Sequence, residues 1–103
     1  MRAPVRFAVV GCGHIGRRHV AMVQAHPEST VQVVVDVSWE DQGEGRALPV
    51  SFAPEAKSFV GLPQALDGCA ADIDVVAICT PNGTHVEIAA CAVASGKHVV
   101  VEK

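Results

Sequence analysis

Two kinds of apolar pattern divide this chain into segments. Short apolar runs rich in β-branched residues are typical of buried strands, and longer segments with helical spacing of apolar residues are typical of helices. The patterns predict strands within residues 5–10, 31–37, 57–61, 75–79 and 98–101, and helices over residues 14–27, 62–69 and 84–96. Residues 38–57 are polar and contain two prolines, which predicts a loop with at most a broken helix.

The order of these segments predicts the fold class. Strands that alternate with helices favour parallel strands joined by right-handed crossovers, and hence an α/β, Rossmann-like, doubly wound parallel sheet. Here the predicted sheet stops after about its fifth strand. Thr84 and Gly96 are the expected N-cap and C-cap of the last helix. A chain of 103 residues, 50% of them hydrophobic, can bury one modest core, so we expect residues 1–103 to form one domain.

Composition narrows the possible partners and the location. The net charge of −3 argues against a nucleic-acid surface, which needs clustered lysine and arginine. No apolar run approaches the roughly 20 residues of a membrane span, and the N-terminal apolar stretch leads into glycines rather than a signal-peptide cleavage site. We therefore expect a cytoplasmic protein without membrane contact. The four cysteines lack metal-ligand spacing, which predicts reduced, buried thiols and no metal site.

A glycine-rich turn follows the first predicted strand and opens the first predicted helix. The stretch GCGHIG places Gly11, Gly13 and Gly16 in the G-x-G-x-x-G spacing, which gains its meaning from this position between strand and helix. We expect Gly11 to allow the tight turn, Gly13 to let the backbone approach a pyrophosphate, and Gly16 to let helix and strand pack closely. The N–H groups at the helix start then face the phosphates.

Asp36 ends the second predicted strand, 20 residues beyond Gly16. A carboxylate at that place can accept hydrogen bonds from both ribose hydroxyls of an adenosine, and it repels a 2′-phosphate. The next basic residue, Arg46, lies ten positions away, so the sequence favours NAD over NADP as the cofactor. The alternative is a glycine-rich turn without a ligand and a surface Asp36.

Several side chains around the turn have two interpretations. His14 and His19 flank it and are either close to a cofactor or structural. Arg17 and Arg18 either approach phosphate or lie on an exposed helix face, which we favour. Cys12 lies between two glycines and is expected to fit the turn rather than to act as a nucleophile.

Two longer stretches carry a family resemblance. VVGCGHIGRRHV near the start and VVAICTPNGTHVEIAACAVASGKHVVVEK at the end, with Asp36 between them, resemble the N-terminal half of the Gfo/Idh/MocA oxidoreductases, the relatives of glucose–fructose oxidoreductase and inositol dehydrogenase. The resemblance runs along nearly the whole chain, and its second stretch is more specific than the glycine spacing. It implies cofactor contacts at Gly11, Gly13, His14, Ile15, Gly16, Asp36, Thr80, Pro81, Asn82, His85 and Glu102. For His85, at the start of a predicted helix, a polar cap or a place behind the direct contacts is an equally good interpretation.

The resemblance also implies a catalytic residue. Lys103 matches the lysine of the family's E-K-P motif, which lies near the nicotinamide and the substrate hydroxyl. A lysine in a partly desolvated cleft can serve in proton transfer. The other interpretation is a solvated terminal lysine that pairs loosely with Glu102. We favour the catalytic role in the parent protein and the solvated lysine in this chain alone, where no following residue holds it in place.

These features predict the function in two layers. The resemblance implies an NAD-dependent dehydrogenase that transfers hydride between the cofactor and a hydroxyl of a sugar, polyol or nucleotide sugar. We also expect a homo-oligomer, because the last predicted strand, His98 to Val101, leaves an open apolar sheet edge. The chain stops before the family proline and the C-terminal substrate domain, so we expect it to be inactive alone. The alternative is a stand-alone nucleotide-binding or regulatory module without catalysis.

Overall fold

A five-stranded parallel sheet is the centre of the part of the chain that the structure, a computed structural model, describes: residues 4–36, 53, 56–80 and 85–101. Its strands are β1 (Val5–Val10), β2 (Ser29–Val35), β3 (Lys57–Phe59), β4 (Val75–Ile78) and β5 (His98–Val101), arranged in the order β3-β2-β1-β4-β5. The helices are α1 (His14–Ala25), α2 (Leu62–Cys69) and α3 (His85–Ala94), and a short 3-10 turn, Ala70–Asp72, follows α2.

Helices cover both faces of the sheet, which confirms the predicted doubly wound fold. Helix α1 packs on one face, where Val20 and Val23 meet Val9 and Val34. Helices α2 and α3 pack on the other face, where apolar side chains of both helices meet alternate residues of β1, β2 and β4. This division follows from the strand period of two, which points successive side chains to opposite faces.

The predicted and observed element boundaries differ by a few residues. Strand β2 begins at Ser29 rather than at residue 31, and α1 ends at Ala25, two residues before Pro27. The structure places α2 at the predicted residues. The expected N-cap Thr84 and most of the loop predicted over residues 38–57 lie outside the described residues.

Helix α1 buries a narrower stripe than its apolar residues suggest. Its buried residues are Gly16, Val20 and Val23, which follow one another at intervals of four and three. Ile15 and Met22 point away from that stripe, and Met22 is 66% exposed. The reason is geometric, because only residues three or four apart share one face of a helix.

Strand β2 contains an irregularity that changes which side chains face which layer. Its register with β1 shifts between Phe7 and Ala8, so that Gln32 is an extra residue opposite this step. As a result Val31 lies in the apolar cluster between the sheet and α1, whereas Val33 lies in the apolar cluster between the sheet and helices α2 and α3. Without this bulge, the strand period would put both valines on the same face.

Helix α3 ends in the way that the sequence predicted. Gly96 has a φ of 77°, a left-handed conformation that favours glycine. Its N–H donates to the carbonyl of Val93, and the Lys97 N–H donates to the carbonyl of Ala92 at 3.0 Å. These two bonds form a Schellman motif and satisfy carbonyls that would otherwise be left at the helix end.

Within the described residues, no helix combines the length and the apolar character that crossing a membrane requires.

Candidate functional site at the carboxyl ends of the strands

The carboxyl ends of all five strands meet in one row. Pairing joins Phe59 to Val35, Val35 to Val10, Val10 to Ile78, and Ile78 to Val101. The residues that follow these positions therefore lie along one edge, which we call the carboxyl rim. In open α/β sheets, ligands bind at this rim where the strand order reverses. Here that reversal lies between β1 and β4.

Backbone hydrogen bonds continue the sheet by one step into the rim. The Gly11 N–H donates to the Val35 carbonyl at 2.7 Å, and the Cys79 N–H donates to the Val10 carbonyl at 2.7 Å. The Asp36 N–H donates to the Phe59 carbonyl at 3.0 Å. These bonds fix the glycine turn and Asp36 at the ends of neighbouring strands, as the sequence predicted.

Two of the three motif glycines are required by space. Gly11 has a φ of 88°, and a Cβ there would lie 2.8 Å from Thr80 atoms. A Cβ on Gly16 would lie 1.8 Å from the Gly11 carbonyl oxygen. No side chain fits at these distances, so the turn, the start of α1 and the end of β4 are in close contact.

Gly13 differs from the other two glycines. It is exposed at the N-cap of α1, its φ is −76°, and a Cβ there would meet no atom within 4 Å. Neither the backbone conformation nor the protein around it requires glycine at this position. A ligand in contact with the turn would occupy the space that a side chain at this position would fill. Glycine at this position is therefore compatible with a close approach of a pyrophosphate to the backbone.

Asp36 lies over the glycine turn. Its Oδ2 accepts a hydrogen bond from the Cys12 N–H at 2.9 Å, and its carboxylate is half-buried. The side chain therefore faces the same turn that would hold the phosphates, which is the placement a ribose-binding carboxylate needs. The assignment of this carboxylate to a ribose stays a prediction, which this placement supports.

The Cys12 thiol points away from the rim into the core. It is 3% exposed, and its Sγ lies 3.8 Å from the Val9 carbonyl oxygen and 3.7 Å from that of Val35. Burial raises the pKa of this thiol to about 12, and the Asp36 carboxylate adds to the effect. A thiol held in this form is a poor nucleophile, in agreement with the expected fit to the turn.

All four cysteines are free thiols, as predicted. Cys12 and Cys69 are buried, whereas Cys79 and Cys91 are only half-buried, so the expected burial is incomplete. Among the described residues, no group of three or more histidine, cysteine, aspartate or glutamate side chains is arranged to hold a metal ion.

His85 joins α3 to the rim. It is half-buried in the first turn of the helix, and its Nε2 donates to the Thr80 carbonyl oxygen at the end of β4. Thr80 in turn lies against Gly11. The structure therefore brings His85 and Thr80 together with the glycine turn, which is far from both in sequence.

The structure describes only some of the other predicted site residues. His14 and Ile15 are exposed at the start of α1, beside Gly13. Pro81, Asn82, Glu102 and Lys103 lie outside the described residues, so their roles stay predictions. Strand β5 ends at Val101 on the rim, in line with the predicted approach of the following residues to the site.

One contact of the site was not expected from the sequence. The sequence favours an exposed helix face for Arg17, and its side chain is exposed, but its Nε donates to the Cys12 carbonyl oxygen at 3.2 Å. The sequence feature that points to this contact is the position of Arg17, one helical turn after Gly13. In the structure, the Gly13 carbonyl accepts the Arg17 N–H at 3.0 Å.

Comparison with known proteins agrees with this geometry. A sequence model of the Gfo/Idh/MocA oxidoreductase family, described as an NAD-binding Rossmann fold, matches residues 5–103. Inositol 2-dehydrogenase 1 of Saccharopolyspora erythraea is 37% identical over 99 residues, which cover 96% of this chain and 28% of that protein.

Solved structures show the same likeness. WlbA dehydrogenase from Bordetella pertussis, in complex with NADH and UDP-GlcNAcA, is 27% identical and superimposes with a TM-score of 0.75, covering 97% of this chain and 29% of that one. The 3-ketoreductase KijD10 from Actinomadura kijaniata, in complex with TDP-benzene and NADP, is 28% identical with a TM-score of 0.79, covering 97% and 29%.

The chain thus spans less than a third of the length of these relatives. Its family match nevertheless covers nearly all of its residues, and the strand order β3-β2-β1-β4-β5 with a glycine turn at the reversal point is the arrangement that the family description names. The chain therefore belongs to the Gfo/Idh/MocA oxidoreductase family and carries its NAD-binding Rossmann fold.

Proposed function

We propose that this chain is the dinucleotide-binding domain of an oxidoreductase that transfers hydride between a nicotinamide cofactor and a hydroxyl of a sugar, polyol or nucleotide sugar. The observation that carries the proposal is the glycine turn at the carboxyl rim, where space requires Gly11 and Gly16 and leaves the position of Gly13 open. The names of the relatives support the substrate class, because they include inositol 2-dehydrogenases and a galactose 1-dehydrogenase.

The residues of the rim fit such a cofactor. In the proposal, the N–H groups after Gly13 at the start of α1 bind the pyrophosphate, and the Asp36 carboxylate binds the adenosine ribose. His14 and Ile15 line the open side of the turn. Thr80 and His85 border it on the side of β4. Pro81, Asn82 and Glu102 complete the cofactor contacts.

The division of chemistry follows from this arrangement. When bound, the nicotinamide cofactor supplies the hydride donor or acceptor. The chain binds and orients it, and Lys103 is proposed to hold or move the proton of the substrate hydroxyl. The substrate itself would be held mainly by residues outside this chain, in line with the short share of the relatives' length that it spans.

Asp36 supports NAD rather than NADP as the cofactor. A 2′-phosphate would have to approach a carboxylate that already lies over the turn, where its Oδ2 accepts the Cys12 N–H. Titration calorimetry on the intact protein is expected to give at least about tenfold tighter binding of NAD than of NADP, a preference of about 1.4 kcal/mol. Equal affinities would contradict the carboxylate argument.

The glycine turn has a direct test with a matched control. Gly13→Ala adds a methyl group where only a ligand would meet it, so NAD binding should weaken at least about tenfold while the fold is unchanged. Gly68→Ala adds the same methyl in open space near the end of α2, and it should leave NAD affinity within about twofold. Unchanged NAD binding by Gly13→Ala would overturn the proposal for this turn.

The alternative is a nucleotide-binding or regulatory module without catalysis. An intact protein that binds NAD but forms no NADH with any polyol or sugar would favour it. The 103-residue chain alone should form no NADH even at saturating NAD, because the proposed substrate-holding groups lie elsewhere. The cytoplasmic location and the homo-oligomeric state stay predictions, and neither nucleic acid nor membrane is proposed as a partner.

A further inference from the structure

We propose that Arg17 is a positioning residue for the pyrophosphate site, and that it acts by holding the Cys12 carbonyl and thereby the orientation of the peptide between Cys12 and Gly13. The inference rests on the proposed binding of a dinucleotide at the glycine turn. It concerns a residue whose side chain points to the turn from the second helical turn of α1.

Two charged side chains form hydrogen bonds with the backbone of Cys12, one with its N–H and the other with its carbonyl. The Asp36 Oδ2 accepts the Cys12 N–H at 2.9 Å, and the Arg17 Nε donates to the Cys12 carbonyl oxygen at 3.2 Å. The side chain of Cys12 itself is anchored in the core. Hydrogen bonds to charged groups are stronger than neutral ones, so both contacts restrain the peptide units on either side of Cys12.

The turn needs such restraint because of its glycines. Gly11 and Gly13 flank Cys12, and glycine has the widest backbone freedom of any residue. Space requires Gly11, and the open face of Gly13 serves the ligand, so neither can be exchanged for a stiffer residue without loss of one role. Side-chain contacts to Cys12 therefore supply the order that the glycines lack.

The direction of the Gly13 N–H follows from the Arg17 contact. The described residues contain no cis peptide bonds, and in a trans peptide the carbonyl and the following N–H point in opposite directions. With its carbonyl directed at the guanidinium, the Cys12–Gly13 peptide directs the Gly13 N–H away from Arg17. A peptide fixed in this way before the ligand arrives lowers the ordering cost of binding.

Arg18 is the matched control for the charge of Arg17. It is the next residue of α1, it is exposed, and its side chain makes no hydrogen bond or ion pair with any described residue. Arg17→Met and Arg18→Met remove the same charge and keep a side chain of good helix propensity. Arg17→Gln removes the charge but keeps an N–H donor, and Arg17→Lys keeps the charge.

The test is calorimetry on the intact protein at about 0.15 M salt, where the Debye length is about 8 Å. Three ligands are compared: NAD and ADP, which contain a pyrophosphate, and adenosine, which does not. Arg17→Met should weaken NAD and ADP binding about tenfold and change adenosine binding less than about twofold. Arg18→Met should change all three less than about twofold, and Arg17→Gln should recover part of the loss.

A second readout reports on the peptide itself. In the ligand-free protein, the amide resonance of Gly13 should shift or broaden in Arg17→Met and stay unchanged in Arg18→Met. A merely structural role would lower thermal stability and weaken all three ligands alike. If Arg17→Met does not fold, Arg17→Gln and Arg17→Lys are used in its place with the same ligands.

The outcomes separate the inference from the function on which it rests. If the unmodified protein binds NAD and Arg17→Met behaves like Arg18→Met, or loses adenosine affinity equally, the positioning role is overturned. If the unmodified protein binds neither NAD nor ADP, the proposed function fails, and the inference fails with it. A selective loss for pyrophosphate ligands, with a changed Gly13 amide, supports both.

Discussion

The three motif glycines serve three different purposes at the scale of single residues. Gly11 combines a left-handed backbone with close contact to Thr80, and Gly16 has close contact to the Gly11 carbonyl without unusual backbone angles. Gly13 has neither constraint. Two of the glycines are therefore required by the fold, and Gly13 is the one whose role we propose to be ligand binding alone.

This difference predicts that the same change, glycine to alanine, has a large effect on stability at Gly16 and a small effect at Gly13. Gly16→Ala should lower the free energy of unfolding by about 3 kcal/mol, because overlap with the Gly11 carbonyl oxygen outweighs a helix-propensity gain of about 1 kcal/mol. Gly13→Ala should lower it by only about 0.5–1 kcal/mol, because alanine is a poorer N-cap residue than glycine. Urea unfolding of both variants measures the effects. Equal losses in the two variants would contradict the distinction.

At the scale of the elements, the ends of the helices fix where the chain turns. Helix α3 ends at Gly96, whose two backbone bonds form the Schellman motif before β5 begins. The helix is apolar around most of its surface, so its own pattern does not define its last residue. The positive φ of Gly96 supplies that signal, and it sets the position at which β5 joins β4.

Two glycine-to-alanine substitutions test the importance of the helix end. Gly96→Ala should destabilise the protein by about 1–2 kcal/mol, since alanine is strained at a φ of 77°. Gly68→Ala, within α2 and with open space around it, should stabilise by about 0.5 kcal/mol through helix propensity. Thermal unfolding of the pair provides the measurement, and a stabilised Gly96→Ala would refute the role of the left-handed cap.

At the scale of the whole molecule, the two ends of the sheet have separate roles. The carboxyl rim carries the candidate site. The opposite end is held by Arg6 of β1, whose guanidinium donates to both carboxylate oxygens of Asp74, at 3.1 and 3.2 Å. The Asp74 carbonyl also accepts the His98 N–H, so this cluster joins the starts of β1, β4 and β5.

This cluster predicts how stability depends on pH. Hydrogen bonds from the Arg6 side chain and backbone hold the pKa of Asp74 below its ordinary value. The folded protein therefore takes up this proton less readily than the unfolded chain. The stabilisation is complete above the unfolded pKa of about 3.9 and is lost as the pH falls through the lower folded pKa.

Asp74→Asn should therefore be less stable than the unmodified protein at pH 7 and should lose less stability between about pH 5 and pH 3. Asp67→Asn is the control, because Asp67 lies on the exposed face of α2 and its side chain makes no hydrogen bond to any described residue. Urea midpoints measured across this range give the comparison. If the urea midpoints of Asp74→Asn and of the unmodified protein change in parallel with pH, the proposed contribution of the Arg6–Asp74 pair is wrong.

Strand β5 leaves apolar surface open at one edge of the described sheet. It pairs only with β4 within that sheet, and Val100 and Val101 are 41% and 48% exposed. Val100 lies beside Ala77, on the face that α1 covers elsewhere. An uncovered strand edge with valines is a surface that favours pairing with another chain.

We predict that the 103-residue chain self-associates through this edge, most simply as a symmetric dimer. Sedimentation velocity over a range of concentrations should show a dimer that Val101→Lys weakens, because an edge lysine opposes strand pairing. Met22→Lys places the same charge on exposed α1 and should leave association unchanged. A single monomeric species, with the Val99–Val101 amides protected from exchange, would show that the prediction is wrong.

The sequence by itself determined the elements and the type of fold. Strand and helix periods are local properties, so short apolar runs and helical spacing located all eight helices and strands of the described residues to within a few positions. The glycine spacing was equally local, because it records a turn between one strand and the next helix. Asp36 could be assigned to the rim because parallel strands end on the same side.

Only the tertiary structure decided which distant groups meet. The contact of Asp36 with Cys12 spans 24 residues and depends on the pairing of β1 with β2, while the contact of Gly11 with Thr80 depends on β4 lying on the other side of β1. The bulge at Gln32 also changes which valines of β2 face α1 and which face α2 and α3. Such contacts are set by register and strand order, which arise from packing the whole sheet and leave no local pattern in the sequence.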